Sequence, residues 1–394
     1  MKKLLGLMFA LVLIAAPLAT YAQVEANAGS MKLGVHMDID YLWSQNNQHQ
    51  PTGHELGWEG YDSFTAENLD LEVTGKVGDR VSYKILEALV YSYPSAGHSG
   101  EVVSIMTAPR VYALPLEAYT DLKVIDQLKF RIGKQMAPTL IANTPVHMAN
   151  MAFTTNMPLI ANDALGNHPM AFNEYWNWER TPLLGSVTGL STIVSFSGLE
   201  LNWTIFDSWF SDGDYLYDYD KRKGNNIALT YAGEVGPGKL TARGFWNSES
   251  QEEGTGAYHP VTNSAWGLGM MYNANKFFLG AEYANSTLTY AKKRWDDKRA
   301  NTWQGAYVVI GGTFSSIQPV YRFDYIDVTS LTNHEIHNIT SFDTEIWHTF
   351  ALNYKVNDNV TLGLDYVVKC PEQEKHYNYP MINEFSFMTE LNTL

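Results

Sequence analysis

The residues of this sequence that could do chemistry are charged side chains spaced two apart among apolar neighbours. Lys129 and Arg131 lie in "IDQLKFRIGKQMAP" (125–138), and Lys32, Asp38 and Asp40 in "SMKLGVHMDIDYLW" (30–43). Asp70 with Glu72, Glu117 with Asp121, Arg322 with Asp324, and Asp365 repeat the theme. Side chains two apart share one face of a strand. Such stripes attract, repel and orient ions and polar solutes, which is the chemistry of a channel wall.

Other chemistries have weaker claims. His334, Glu335 and His337 in "TNHEIHN" could chelate a metal, but a defined site needs further ligands, and a hydrated loop accounts for them. The acids of "SDGDYLYDYDKRKG" (211–224) lack the regular spacing and terminal Glu of an EF-hand and suit a solvated loop. His36 fits a pore wall better than a base. There is no G-x-S-x-G, P-loop or Cys-x-x-Cys, and no heme-binding Cys-x-x-Cys-His. No Ser–His pairing stands out. We expect no enzyme, no cofactor and no metal.

Export comes first among the features that must position these charges. "MKKLLGLMFALVLIAAPLATYAQ" has two lysines, an apolar run and Thr20-Tyr21-Ala22 before Gln23. That order predicts a cleaved signal peptide over 1–22. Its removal takes the net charge from −15 to −17, since 1–22 hold two lysines and no acid. An exported acidic chain is a poor partner for nucleic acid. The lone Cys370 cannot form an internal disulfide.

Residues 23–394 show no linker or repeat, little helical periodicity and much alternation of period two. Met31, Leu33, Val35, Met37, Ile39, Tyr41 and Trp43 are apolar at every second position, far longer than an ordinary strand. A tilted membrane-spanning strand takes roughly 9–11 residues. Sixteen strands are predicted: 31–43, 64–77, 81–93, 112–125, 128–136, 184–196, 199–210, 225–233, 239–247, 265–273, 277–289, 302–313, 317–327, 345–355, 360–369 and 381–394. Short links such as 78–80 and 126–127 alternate with long ones at 44–63, 94–111, 137–183, 211–224, 248–264, 290–301, 328–344 and 370–380. This is the rhythm of an all-β, transmembrane, antiparallel up-and-down barrel with periplasmic turns and outer loops.

Aromatic residues support the same expectation. Tyr41, Trp43, Tyr91, Tyr93, Trp209, Trp246, Trp266, Trp303, Tyr325 and Trp347 fall near the long-loop ends of strands, where an interfacial girdle would lie. Leu128, Phe130 and Ile132 are then expected to face lipid, with Lys129 and Arg131 facing a wet interior. Pro115 and Pro319, lacking ladder donors, are expected at a strand end or bulge.

"AYTDLKVIDQLKFRIGKQMAP" (118–138) resembles the strand–turn–strand segment of the phosphate-selective porin O and P-like family of outer-membrane porins. That family's second strand carries L-x-x-R-x-G-x-x-x-x-P, whose places are filled here by Leu128, Arg131, Gly133 and Pro138. "FTAENLDLEVTGKVGDRVSYKI" (64–85) is similar to its earlier hairpin. The resemblance implies an outer-membrane porin and a homotrimer, and its name implies anions. The wall residues named above hold eight acids and four bases, with no lysine-rich cluster, and so predict cations.

The link over 136–182 is too long for an ordinary connection and too rich in Met, Phe, Leu and Ile for disorder. We expect it to fold inward and narrow the pore, rather than cap the barrel. The leading function is a passive channel for small hydrophilic solutes or ions in the outer membrane. The alternative is a sheath around a partner such as a periplasmic multiheme cytochrome.

Overall fold

The structure, a computed structural model, describes residues 23–26, 29–45, 62–92, 110–141, 186–207, 223–251, 258–292, 297–330, 344–357, 359–371 and 382–392. Its strands are β1 (Gln23–Ala26), β2 (Gly29–Gln45), β3 (Asp62–Val77), β4 (Val81–Ser92), β5 (Arg110–Ile125), β6 (Leu128–Met136), β7 (Ser186–Phe196), β8 (Leu199–Asp207) and β9 (Lys223–Val235). They continue as β10 (Gly238–Gln251), β11 (Tyr258–Ala274), β12 (Phe277–Lys292), β13 (Asp297–Gly312), β14 (Ile317–Ser330), β15 (Thr344–Lys355), β16 (Val360–Pro371) and β17 (Ile382–Asn392).

From β2 onward each strand runs antiparallel to the one before it, and β17 returns to pair with β2, from Asn383 against Gln45 to Asn392 against His36. Sixteen strands therefore close an up-and-down ring. They match the sixteen predicted from alternation. The additional strand β1 pairs along Gly29–Lys32, the length of β2 that β17 does not reach. It covers an edge that would otherwise be open, and at four residues it is too short for alternation to signal.

The ladders run further than predicted. β10 and β11 stay paired up to Gln251 against Val261, and β12 and β13 up to Lys292 against Asp297. The links predicted over 248–264 and 290–301 shrink to 252–257 and 293–296. Apolar alternation stops where hydrocarbon stops, whereas backbone pairing continues through Ser, Thr and Asn into water.

Burial is inverted relative to a soluble sheet. Ile132 is 59 % exposed and Leu268 58 %, while Thr204, Asn226, Arg322 and Asp365 are 0 % exposed. Along β8, Leu199, Leu201 and Trp203 point out and Asn202, Thr204 and Phe206 point in. A closed barrel in lipid satisfies its backbone internally and faces hydrocarbon with its apolar side. The sheet is a transmembrane β-barrel.

Its outer aromatics include Trp246 and Trp266, opposite each other in the ladder, with Tyr283 packed on Trp266 at 5.4 Å between ring centroids. Trp347 is a correction to the predicted girdle. It shares the inward side of β15 with buried Thr349 and Ala351. Ile346, Trp347 and His348 offer no polar contrast, so the sequence did not show which way the ring turned. Pro115 sits at a bulge where β5 skips Leu116, and Pro319 is the third residue of β14.

Candidate pore constriction

The β3–β6 wall carries two charge clusters. Lys84 Nζ lies 2.9 Å from Glu72 and 2.8 Å from Glu117, bridging both carboxylates. On the next strands, Arg131 donates to Asp121 from Nε at 2.7 Å and from Nη2 at 3.0 Å. Its guanidinium stacks 3.8 Å from the centre of the Tyr119 ring, and Lys129 approaches the same Asp121 at 3.5 Å. Period-two spacing puts these groups on one face, and ladder pairing of Asp121 with Arg131 puts them level.

Gly133 shapes the strand between them. Its φ is +128°, and a Cβ there would run into the carbonyl oxygen of Ala118 on the neighbouring strand. Only glycine takes that conformation and that approach without strain.

Beyond Met136, whose N–H points at Glu117 Oε1 at 3.5 Å, the chain leaves the wall. It turns tightly at Pro138, with the Thr139 N–H donating to the Ala137 carbonyl at 2.8 Å. Ala137 packs with Val187 and Phe206. Leu140 joins a cluster that includes Ala228, Phe245, Ala265, Ala284, Tyr307 and Val309. The Ile141 N–H then donates to Glu282 Oε1 at 2.5 Å, and the Tyr307 hydroxyl donates to Glu282 Oε2 at 2.5 Å. Arg243 donates to the Leu140 carbonyl at 3.0 Å and to Thr230 at 3.0 Å. Residues 137–141 thus form a chord inside the barrel, from β6 to β12. The remainder of the predicted inward loop, 142–182, lies outside the described residues, as do 1–22 and 331–343.

Neutral polar groups fill the wall between these charges. Ser191 donates to Gln135 at 2.7 Å and lies 2.7 Å from the Thr204 hydroxyl. Asn263 donates to Glu249 at 3.1 Å and accepts from Ser286 at 3.2 Å.

Of the predicted wall residues, Glu72, Glu117, Asp121, Lys129 and Arg131 come together on β3–β6. Lys32 is exposed near the β1–β2 turn. Arg322 and Asp324 face inward and bond at 2.7 Å, but they and Asp365 are at most 2 % exposed. They sit beneath other chain rather than in open water. For Asp38, Asp40 and Asp70 only the backbone is described. Lys84, Arg243 and Glu282 are inward charges that the sequence reading missed. Lys84 was legible, flanked by Tyr83 and Ile85. Arg243 and Glu282 were not, because Ala242, Gly244 and Ala281 make a faint apolar face.

No family model and no curated protein matches the sequence itself. Solved structures do match. The outer membrane channel DcaP of Acinetobacter baumannii aligns over 94 % of this chain and 99 % of its own, with 13 % identity and a TM-score of 0.62. OmpF of Salmonella typhi, solved with daunomycin, aligns over 94 % and 100 %, with 12 % identity and a TM-score of 0.60. An anion-selective porin from Comamonas acidovorans aligns over 92 % and 99 %, with 10 % identity and a TM-score of 0.57. The fold is that of the outer-membrane porins. At such identities the likeness is one of barrel architecture, so the porin fold leaves the wall chemistry to this chain's own residues.

Proposed function

We propose that this chain is an outer-membrane porin, exported by the leader at 1–22, whose water-filled lumen passes small hydrophilic solutes or ions by diffusion. The observation that carries this is the chord at 137–141, held across the polar lumen by Arg243 and Glu282. A narrowed, charged interior inside an apolar wall selects by size and field. The same chord favours the channel over a sheath, because it fills with this chain's own atoms a level that a multiheme cytochrome would need.

Selectivity follows from pairing more than from counting. Glu72, Glu117, Asp121 and Asp324 stand against Lys84, Lys129, Arg131 and Arg322, four against four, in three contacting clusters. Away from the short turns, the other inward acids Glu249, Glu282 and Asp365 outnumber Arg243, whereas at the turn ends Glu200 and Glu234 share the inward side with bases such as Lys32, Lys76, Lys239 and Lys355. A modest cation preference results, strongest at low salt where screening is weak. The phosphate preference implied by the family resemblance has no lysine cluster among the described residues to support it.

Purified protein in a planar bilayer is expected to give stable open-channel steps and a reversal potential of cationic sign across a salt gradient. Absence of steps from a folded barrel overturns the channel. A clear anionic reversal potential overturns the selectivity alone.

A further inference from the structure

A row of uncharged hydrogen-bonding side chains crosses the wall beside the chord. The ladders set Ser191 opposite Thr204, Thr204 opposite Asn226 and Asn226 opposite Asn247, at one level on β7–β10. All four are fully buried on the inward side. Ser191 and Thr204 are satisfied by Gln135, Asn202 and each other. Asn226 and Asn247 are not. Neither the oxygen nor the nitrogen of either amide has a hydrogen-bond partner, and Gln135 Nε2 lacks one as well.

A buried amide without a partner is costly. Opposite residues of an antiparallel ladder have Cβ atoms about 4.5–5.5 Å apart, within reach of an amide–amide bond. The two side chains nevertheless leave each other unbonded. Phe206 and Phe245 bracket them. The Phe206 ring lies across Gly224, two residues before Asn226, and the Phe245 ring lies across Gly267 on β11. A Cβ at either glycine would run into the ring. The chord rests at both places, with Ala137 against Phe206 and Leu140 in the cluster of Phe245. The amides thus occupy a polar gap between two apolar contacts, where the chord leaves the wall.

We propose that Asn226 and Asn247 form a binding subsite at the constriction for a neutral polyhydroxylated solute, of the sugar or polyol class. The inference rests on the channel reading. Each amide offers donors on one arm and an acceptor on the other. Adjacent hydroxyls of a polyol each donate and accept, so they match both arms of both amides. An inorganic cation would use the oxygens alone, and an anion the nitrogens alone. Apolar surroundings with a few placed polar groups are the usual make-up of a small-molecule site. A solute at the pair meets groups already stripped of bulk water, where hydrogen bonds are stronger than at an open wall.

The test is current block in a planar bilayer. Glucose, then maltose, is added to the salt solution bathing single channels of the full-length protein. Each is expected to reduce the ion current saturably, with added current noise. Polyethylene glycol at equal viscosity is expected to lower it only in proportion to bulk conductivity. Asn226→Leu and Asn247→Leu nearly keep the side-chain shape and remove the amide. Each is expected to raise the half-blocking concentration about tenfold, as loss of one hydrogen bond does. Both are expected to keep heat-modifiable gel mobility, because no protein group loses a partner. Should either fail to fold, Asn226→Asp and Asn247→Asp decide, since they keep the oxygens, lose the donors and are expected to weaken the block likewise. Channel steps without saturable block overturn this proposal and leave the channel standing, whereas a folded barrel without steps overturns both. Block of unchanged strength in the variants also overturns the proposal.

Discussion

The Ile141 backbone N–H and the Glu282 carboxylate, 141 positions apart in the chain, meet at 2.5 Å inside the barrel. This bond and the Arg243 contact to Leu140 are what fix the end of the described chord. A hydrogen bond to a charged group contributes about 1.5–3 kcal/mol. Glu282→Ala also removes the acceptor for the buried Tyr307 hydroxyl. We expect Glu282→Ala and Arg243→Ala to fold, with a larger and noisier single-channel conductance. Conductance identical to that of the unmodified protein would show that the chord does not limit passage.

Gly133 makes a second prediction at a different level. Gly133→Ala forces a side chain into a φ of +128° and against the Ala118 carbonyl. Strain of this kind costs on the order of 1–3 kcal/mol. The midpoint of urea unfolding is expected to fall accordingly, while channel selectivity stays unchanged.

The lipid register is open to a direct test. Leu364 stands opposite Leu352 on the outward side of β16, and the adjacent Asp365 is fully buried within. Leu364→Arg is expected to cost about 2–4 kcal/mol if it sits near the midplane. Asp365→Asn keeps the shape and the barrel, and shifts reversal potential instead. Folding equilibria in liposomes and bilayer recordings separate the two outcomes.

These residues also show how far the sequence could be read. The alternation Leu362, Leu364, Tyr366 against Thr361, Gly363, Asp365 gave the register of β16 correctly, because period two and a two-sided environment leave one solution. Arg131 and Asp121 were legible as wall charges for the same reason. Their contact was not, since it depends on which residue of β5 lies opposite which of β6. The chord was legible only as a loop too long and too apolar for solvent. That it would be held by Arg243 and Glu282 was hidden, because five strands of the ring lie between β6 and β12. Such partners become neighbours only once the ring closes.

Lys84 offers the sharpest test of pairing against counting. It bridges Glu72 and Glu117, and the Glu117 carboxylate is almost wholly buried while Lys84 and Glu72 keep some contact with solvent. Removing one partner of a buried pair can cost 3–5 kcal/mol. Partial exposure screens this site, so about 1–3 kcal/mol is expected for Lys84→Met. Two carboxylates then face the lumen without their cation. If paired charges had been cancelling in the pore, cation preference rises clearly in the reversal potential at low salt. Lys84→Met combined with Glu117→Gln should bring it most of the way back, because the double variant leaves a single carboxylate where there had been a net single negative charge. If Lys84→Met leaves the reversal potential unmoved, the β3–β6 wall lies off the ion path. Selectivity would then have to be set elsewhere in the lumen.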